Sequence, residues 1–353
     1  MWARLPVRWL SSLVWAMLLG ACSSEAPPAL RSVGAPLRPT VETAHFDVAF
    51  HWAPIHHMAV ETRGANALGG RADYLARVDF DGDWEGRNNW VNTATFDLAP
   101  YVYYSVAETS THWFVLYMFF HPRDWVRHFF DTEHENDSEG LLLAIRRDGS
   151  PFGVLRAAVT VAHRHFYSYV PEGSPWQDGR EDIDGTLSLE LDEGRFRPVT
   201  AQEAQGHGLK AEPHYRIHSR GVTYYPSLER PREPNEPNQR GVGYALLNVF
   251  EPGGLWDQRY NPALFASWGT FAGDAPSGCG RRAIGCTRNA AHAPWAWDDV
   301  DDGVPAGAMA LDPAGLMAQY FRIPEPFGRS YIRNDYLLDE RSPQLASLTN
   351  RPE

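Results

Sequence analysis

Two apolar runs, Trp113-Phe-Val-Leu-Tyr-Met-Phe-Phe120 and Leu141-Leu-Leu-Ala-Ile145, bracket the most polar stretch of the chain. Runs of this length, aromatic or aliphatic throughout, read as buried strands. Between them stand His121, Asp124, His128, Asp131, Glu133, His134, Glu135, Asp137 and Glu139. Carboxylates and imidazoles at that density, held between core strands, are the donor set of a hard or borderline cation. The same composition also describes a solvated acidic hairpin loop, because connecting segments run over the surface.

Spacing narrows the choice of ligands. His134, Asp137 and Glu139 stand at i, i+3 and i+5, and on a helix Glu139 would point away from His134. At the mouth of a strand, the period of two puts Asp137 and Glu139 on one face, and a turn can bring His134 over them. Asp124, just after Pro122, is placed to close the site from the end of the preceding strand. Three carboxylates and an imidazole favour magnesium, calcium or manganese over zinc.

The rest of the chain reads as all-β with long loops and few short helices. Thirteen Trp, fifteen Tyr and seventeen Phe supply a core, while 30 Gly and 27 Pro cut the chain into short segments. Strands are expected over 45–58, where Phe46, Val48, Phe50 and Trp52 alternate, and over 155–169, 182–191, 242–250 and 264–271. His163 and His165, at i and i+2, would share a face of the second of these. One helix is expected, over 313–321, with Asp312 as its cap and Pro313 at its first position. Gly206-His-Gly208 reads as an exposed turn. Asp79, Asp81 and Asp83 suggest a calcium loop, but Trp84 and Trp90 occupy the positions where an EF-hand needs glycine and glutamate. Asp81 remains a candidate ligand-binding residue, as do Trp297 and Asp298 in a second aromatic and acidic cluster.

Residues 1–22 carry Arg4 and Arg8, an apolar segment, and Leu19-Gly-Ala-Cys22. This is the pattern of a secretory signal, and it resembles a bacterial lipoprotein signal in which Cys22 is lipidated. Ser23 favours the outer membrane in such proteins. Residues 23–44 then read as a flexible tether, 45–340 as one domain with a C-terminal extension, and 341–353 as a tail. Cys279 and Cys286 are expected to form a disulfide in an exported protein. A net charge of −12 argues against nucleic acid as a partner. No serine-hydrolase elbow, phosphate loop or His-Glu-x-x-His helix is present.

The polar stretch also resembles a known family, the necrosis- and ethylene-inducing (NPP1-type) proteins. Their hallmark heptapeptide Gly-His-Arg-His-Asp-Trp-Glu corresponds to Glu133-His-Glu-Asn-Asp-Ser-Glu139, which keeps the first histidine, the aspartate and the final glutamate. Phe120-His-Pro-Arg-Asp124 resembles the end of the family's upstream strand. Trp52-Ala-Pro-Ile, Val78-Asp-Phe-Asp-Gly82, Val161-Ala-His163 and Gly206-His-Gly-Leu209 resemble further segments in the same order. The likeness spans about 52–209. It implies a β-sandwich shaped like actinoporins and fungal lectins, with a divalent cation held by Asp124, His134, Asp137 and Glu139. His121 and His163 lie beside these as possible ligand contacts. It further implies attachment to glycosylated lipid head groups. The chain is thus expected to be an exported, lipid-anchored monomer that binds a glycan or glycolipid in a lectin-like or cytolysin-like manner. The alternative is a metal-dependent hydrolase of glycans or phospholipids, with Glu135 or Asp131 as general base.

Overall fold

The computed structural model describes residues 41–126, 133–214, 220–273 and 291–339. In chain order the elements begin with α1 (Val41–Trp52), β1 (Ile55–Ala59), α2 (Asn89–Asn92), β2 (Tyr101–Thr109), β3 (His112–Asp124) and β4 (His134–Arg146). There follow β5 (Val154–Ala162), β6 (His165–Pro171), β7 (Gln177–Asp178), β8 (Gly185–Leu187), β9 (Leu189–Asp192), β10 (Arg195–Gln202) and β11 (Leu209–Ala211). The chain continues with β12 (Gly221–Pro226), β13 (Arg240–Asn248), β14 (Phe265–Ser267), β15 (Thr270–Phe271), α3 (Ala308–Leu311), α4 (Pro313–Tyr320), β16 (Phe321–Arg322) and β17 (Tyr331–Arg333). The protein is mostly β with few short helices, as its composition suggests.

Thirteen strands form one sheet in the order β11-β10-β1-β12-β13-β2-β3-β4-β5-β6-β8, with β17 on β2 and β9 on β10. The sheet curls until β11, at one end, packs against β4, β5 and β8 of the other arm, so it is nearly closed. Among the described residues no helix is long and apolar enough to cross a membrane.

The two apolar runs are the middles of β3 and β4, and together they fill the core. Every residue of β4 from His134 to Ile145 is buried. The two described ends of the polar stretch, His121–Asp124 and His134–Glu139, are strand and not loop. The antiparallel ladder runs on through them, pairing Phe119 with Glu139, His121 with Asp137 and Asp124 with His134. His134 therefore reaches the cluster from a strand and not from a turn.

Three local expectations are overturned. Residues 45–52 are helix and not strand, and α1 begins inside the stretch read as tether. The period-two aromatics disguised a stronger pattern: His45, Val48, Ala49 and Trp52 are the buried face, at i, i+3, i+4 and i+7. Phe46 and Phe50 stack one helical turn apart, with centroids 5.9 Å from each other. Next, 155–169 is a hairpin and not one strand. His163 takes a left-handed φ of 63° in its turn while His165 opens β6, so the two do not share a strand face. Likewise 264–271 is the small hairpin β14–β15. The expected helix does form: α4 starts at Pro313, with the Asp312 side chain accepting from the Gly315 amide.

Candidate functional site

The candidate site lies where β3 and β4 run past their apolar middles. Asp124 ends β3 opposite His134, and His134 Nε2 stands 3.5 Å from Asp124 Oδ2. The other ring nitrogen, Nδ1, is 3.1 Å from the Glu135 carbonyl and 3.0 Å from that of Asn136. Carbonyls only accept, so Nδ1 carries the hydrogen and Nε2 is the atom offered to the carboxylate. Metal-binding imidazoles are oriented in this way.

Asp137 and Glu139 share a face further along β4, as their spacing predicts. Asp137 Oδ2 pairs with His207 Nδ1 at 2.9 Å, while Glu139 Oε1 accepts the His163 amide at 2.8 Å. Glu139 Oε2 is buried with no hydrogen-bond donor. A buried carboxylate oxygen left so is costly unless a proton or a cation meets it. At the rim, His163 Nε2 lies 2.7 Å from Glu203 Oε1, with both side chains partly exposed.

His207 corrects another expectation. Gly206-His-Gly208 is not an exposed turn, because His207 is wholly buried and takes a φ of 55°. Its glycines mark close approach. A Cβ on Gly206 would stand 2.8 Å from Val126 Cγ2, and one on Gly208 would stand 3.0 Å from both Glu203 Oε1 and His163 Nε2. The ring stacks on His121, centroids 3.9 Å apart and nearly parallel, and His121 Nε2 lies 3.1 Å from Gln202 Oε1. His207 Nε2 stands 3.3 Å from Oδ1 of Asp73. That oxygen also accepts the Trp125 indole at 2.8 Å and the Gln205 amide at 2.9 Å. Oδ2 of Asp73 accepts the Glu61 amide at 2.8 Å. Asp73 is a fully buried post for the His207 loop that sequence reading missed. It sits in Arg71-Ala-Asp-Tyr74, which carries no motif, and only the fold brings it near Asp137.

The electrostatics follow from burial. Burial lifts the Asp124 carboxyl to about 6, with His134 opposing the shift and Asp137 adding to it. Burial, then the nearby Asp137, pushes Glu139 well above the usual carboxylate range. Burial disfavours charge on His207, yet its bonds to Asp137 and Asp73 outweigh that and raise the ring to about 10. Around this one fixed positive charge stand acids reluctant to ionise by themselves. That is the condition a divalent cation relieves, and the donor set, rich in carboxylate oxygen, fits magnesium, calcium or manganese. Among the described residues, the donors whose ligand atoms all lie within 4.8 Å of one another are His165, Asp299 and Asp301, so Asp124, His134, Asp137 and Glu139 do not converge that tightly, and an ion held by them would have to draw them together.

The positions where the heptapeptide differs from the family's pattern act as scaffold. Asn136, at φ 58°, donates to the carbonyls of Gly86 and Ala272, each at 2.8 Å, and accepts from Asn89 at 2.6 Å. Glu135 is fully buried and accepts the Trp90 amide at 3.4 Å, beneath the guanidinium of Arg123 that covers the Trp90 ring. So enclosed, it is a packed side chain of β4. Glu133 accepts from Asn66 at 2.6 Å, and Ser138 accepts the Trp297 indole at 3.3 Å. The Trp297 ring lies over Gly140, where a Cβ would stand 2.3 Å from it. Trp297 is thus a packing residue, and Asp298 is ion-paired to Arg164. Asp81 accepts from Asn92 at 2.6 Å. Cys22, Asp131, Cys279 and Cys286 lie outside the described residues.

No family model and no curated protein matches the sequence. Solved structures do match. One is NLPPya in complex with glucosamine, at 13% identity and a TM-score of 0.34, covering 68% of this chain and 88% of that one. The mannosamine complex of the same protein gives the same values. Another is necrosis and ethylene inducing protein 2 from the causal agent of cocoa's witches' broom disease, at 13% identity and a TM-score of 0.28, covering 55% of this chain and 72% of that one. The solved structures to which the chain is similar are those of necrosis and ethylene-inducing proteins, at 13–15% identity.

Proposed function

We propose that this is an exported, surface-anchored protein that holds a divalent cation with Asp124, His134, Asp137 and Glu139 and uses the rim of that site to bind a glycan or glycolipid head group. In this reading the two arms of the curled sheet act as the layers of a lectin-like sandwich, and a lipid on Cys22 tethers the domain to the outer membrane. The observation that carries the proposal is the buried, donorless Glu139 Oε2, on the same strand as an imidazole, His134, whose Nδ1 faces two carbonyls and leaves Nε2 toward Asp124. The ligands come from paired strands packed into the core, so the cation is part of the binding platform. His163 and Glu203, partly exposed at the rim, offer a donor and an acceptor to sugar hydroxyls.

The test has two stages. Metal analysis of purified protein should find magnesium, calcium or manganese, and Asp137→Asn should lower the count by about one ion per chain. Glycan-array binding should then be seen in the metal-loaded protein and lost with chelator. An ion count per chain that Asp137→Asn leaves unchanged overturns the site. Binding unaffected by chelator overturns the coupling of cation to glycan. Palmitate labelling unchanged in Cys22→Ser overturns the anchor.

A further inference from the structure

A second group of metal-type donors lies outside the β3–β4 site. His165 opens β6, and Asp299 and Asp301 lie on the 297–304 segment that crosses over it. One ligand atom from each falls within 4.8 Å of the others. His165 Nδ1 is 3.0 Å from Asp301 Oδ1. The segment is fixed by a bridge between Asp299 and Val304 and by the Val300 amide donating to the Arg164 carbonyl at 3.1 Å.

Asp299 is the informative residue. It is 4% exposed, so it is a core carboxylate and not part of a solvated acidic loop. Its Oδ2 accepts from the Tyr320 hydroxyl and from the Phe166 amide, the latter at 3.3 Å. Its Oδ1 is buried without a donor, and a carboxylate oxygen of Asp301 lies within 4.8 Å of one on Asp299. Two carboxylates facing each other across such a distance need something positive between them, either a proton or a metal ion. An imidazole completes the set. Next to it opens a cavity of about 290 Å³ lined by Glu181, Asp182, Asp184 and Asp302. That leaves an ion bound here with room for water or another oxygen ligand.

We infer that His165, Asp299 and Asp301 form a second divalent-cation site, independent of the first. Its one nitrogen and two or more carboxylate oxygens suit a borderline ion such as manganese better than calcium. The ion would clamp the 297–304 segment onto the β5–β6 hairpin, whose turn carries His163.

The experiment is manganese titration of the full-length protein, followed by the electron paramagnetic resonance of free Mn²⁺, with His165 observed through paramagnetic broadening of its ring signals. Wild type should bind two ions per chain and lose the His165 signals as the second fills. Asp301→Asn, at an exposed position that carries no packing, should weaken one site by at least about tenfold and retain the other. Asp137→Asn should do the reverse, keeping the broadening at His165, so failure at one site is distinguishable from failure at the other. Unchanged stoichiometry and affinity in Asp301→Asn, or His165 signals unmoved in saturated wild type, overturns the inference and leaves a shared proton as the bond between the two aspartates.

Discussion

Two clusters of similar chemistry sit at different depths in this molecule. The β3–β4 cluster is built on paired strands, closed over by the buried His207, and anchored beneath by Asp73. The His165 cluster is carried by a crossing segment, and two of its three donors are open to solvent, with side-chain exposures of 44% for His165 and 66% for Asp301. The same residue types therefore do different work. In the first, charge is part of the fold, and changing it changes stability. In the second only Asp299 is committed to the interior, so the cluster can gain or lose an ion while the core stays as it is.

The sharpest way to break this contrast is His207→Ala. It leaves Asp73 and Asp137 facing a hole without their shared cation, and stability should fall by about 3–5 kcal/mol in denaturant titration. A loss below about 1 kcal/mol would mean that the ring is not the charge that holds the cluster. Saturation of the first site with magnesium should come next, adding about 2.7 kcal/mol at a hundredfold excess over the dissociation constant. Asp137→Asn should abolish that gain and Asp301→Asn should keep it. A melting temperature unmoved by chelator in wild type would remove the cation from the fold altogether.

Gly140→Ala probes the link between the clusters, since the new methyl pushes against Trp297. It should cost about 1–3 kcal/mol. It should also weaken manganese binding at His165, because Trp297 leads directly into Asp298 and Asp299. An effect on stability alone would show that the two sites are packed separately.

The pH dependence sharpens the contrast further. Burial raises Asp124 in the folded state to about 6, above its unfolded value near 3.8, so in chelator its stabilising contribution is present below 3.8 and is lost as pH rises through about 6. Cation binding needs the ionised form, so with magnesium the trend reverses and the gain grows from pH 5 to 7. The difference in unfolding free energy between wild type and Asp124→Asn, measured at both pH values with magnesium and with chelator, checks both signs. The smallest effect is expected from Asp301→Asn in chelator, where stability should change by no more than about 0.5 kcal/mol.

What could be read from the chain follows the range of the interactions involved. The apolar runs around Leu116 and Leu142 declare β3 and β4 because their partners are the next residues to arrive. Asp312-Pro313 declares α4 because a cap and a first turn are local. Phe46 and Phe50 misled because a spacing of four satisfies a strand's period of two as well as a helix's turn. The Glu139 and Asp137 pairing was legible from spacing on one strand. The post at Asp73 was not, since nothing in its own neighbourhood records that His207 will come to rest on it. His207 itself was visible but misjudged, because glycines that permit close packing look in sequence like glycines that permit a turn.

The continuous ladder from Phe119 opposite Glu139 to Asp124 opposite His134 bears on the order of assembly. All four proposed ligands belong to a single hairpin, so they come onto paired strands as soon as it zips, on the microsecond scale of hairpin formation. Asp73 and His207 have to be recruited from far along the chain, and closing such loops is the slow, entropy-limited part of folding. An ion can then neutralise the young hairpin's acids before the protein's own imidazolium reaches them. Refolding followed by stopped flow should be faster in magnesium than in chelator. In His207→Ala the gain should persist, because the ion acts on the hairpin before that histidine arrives.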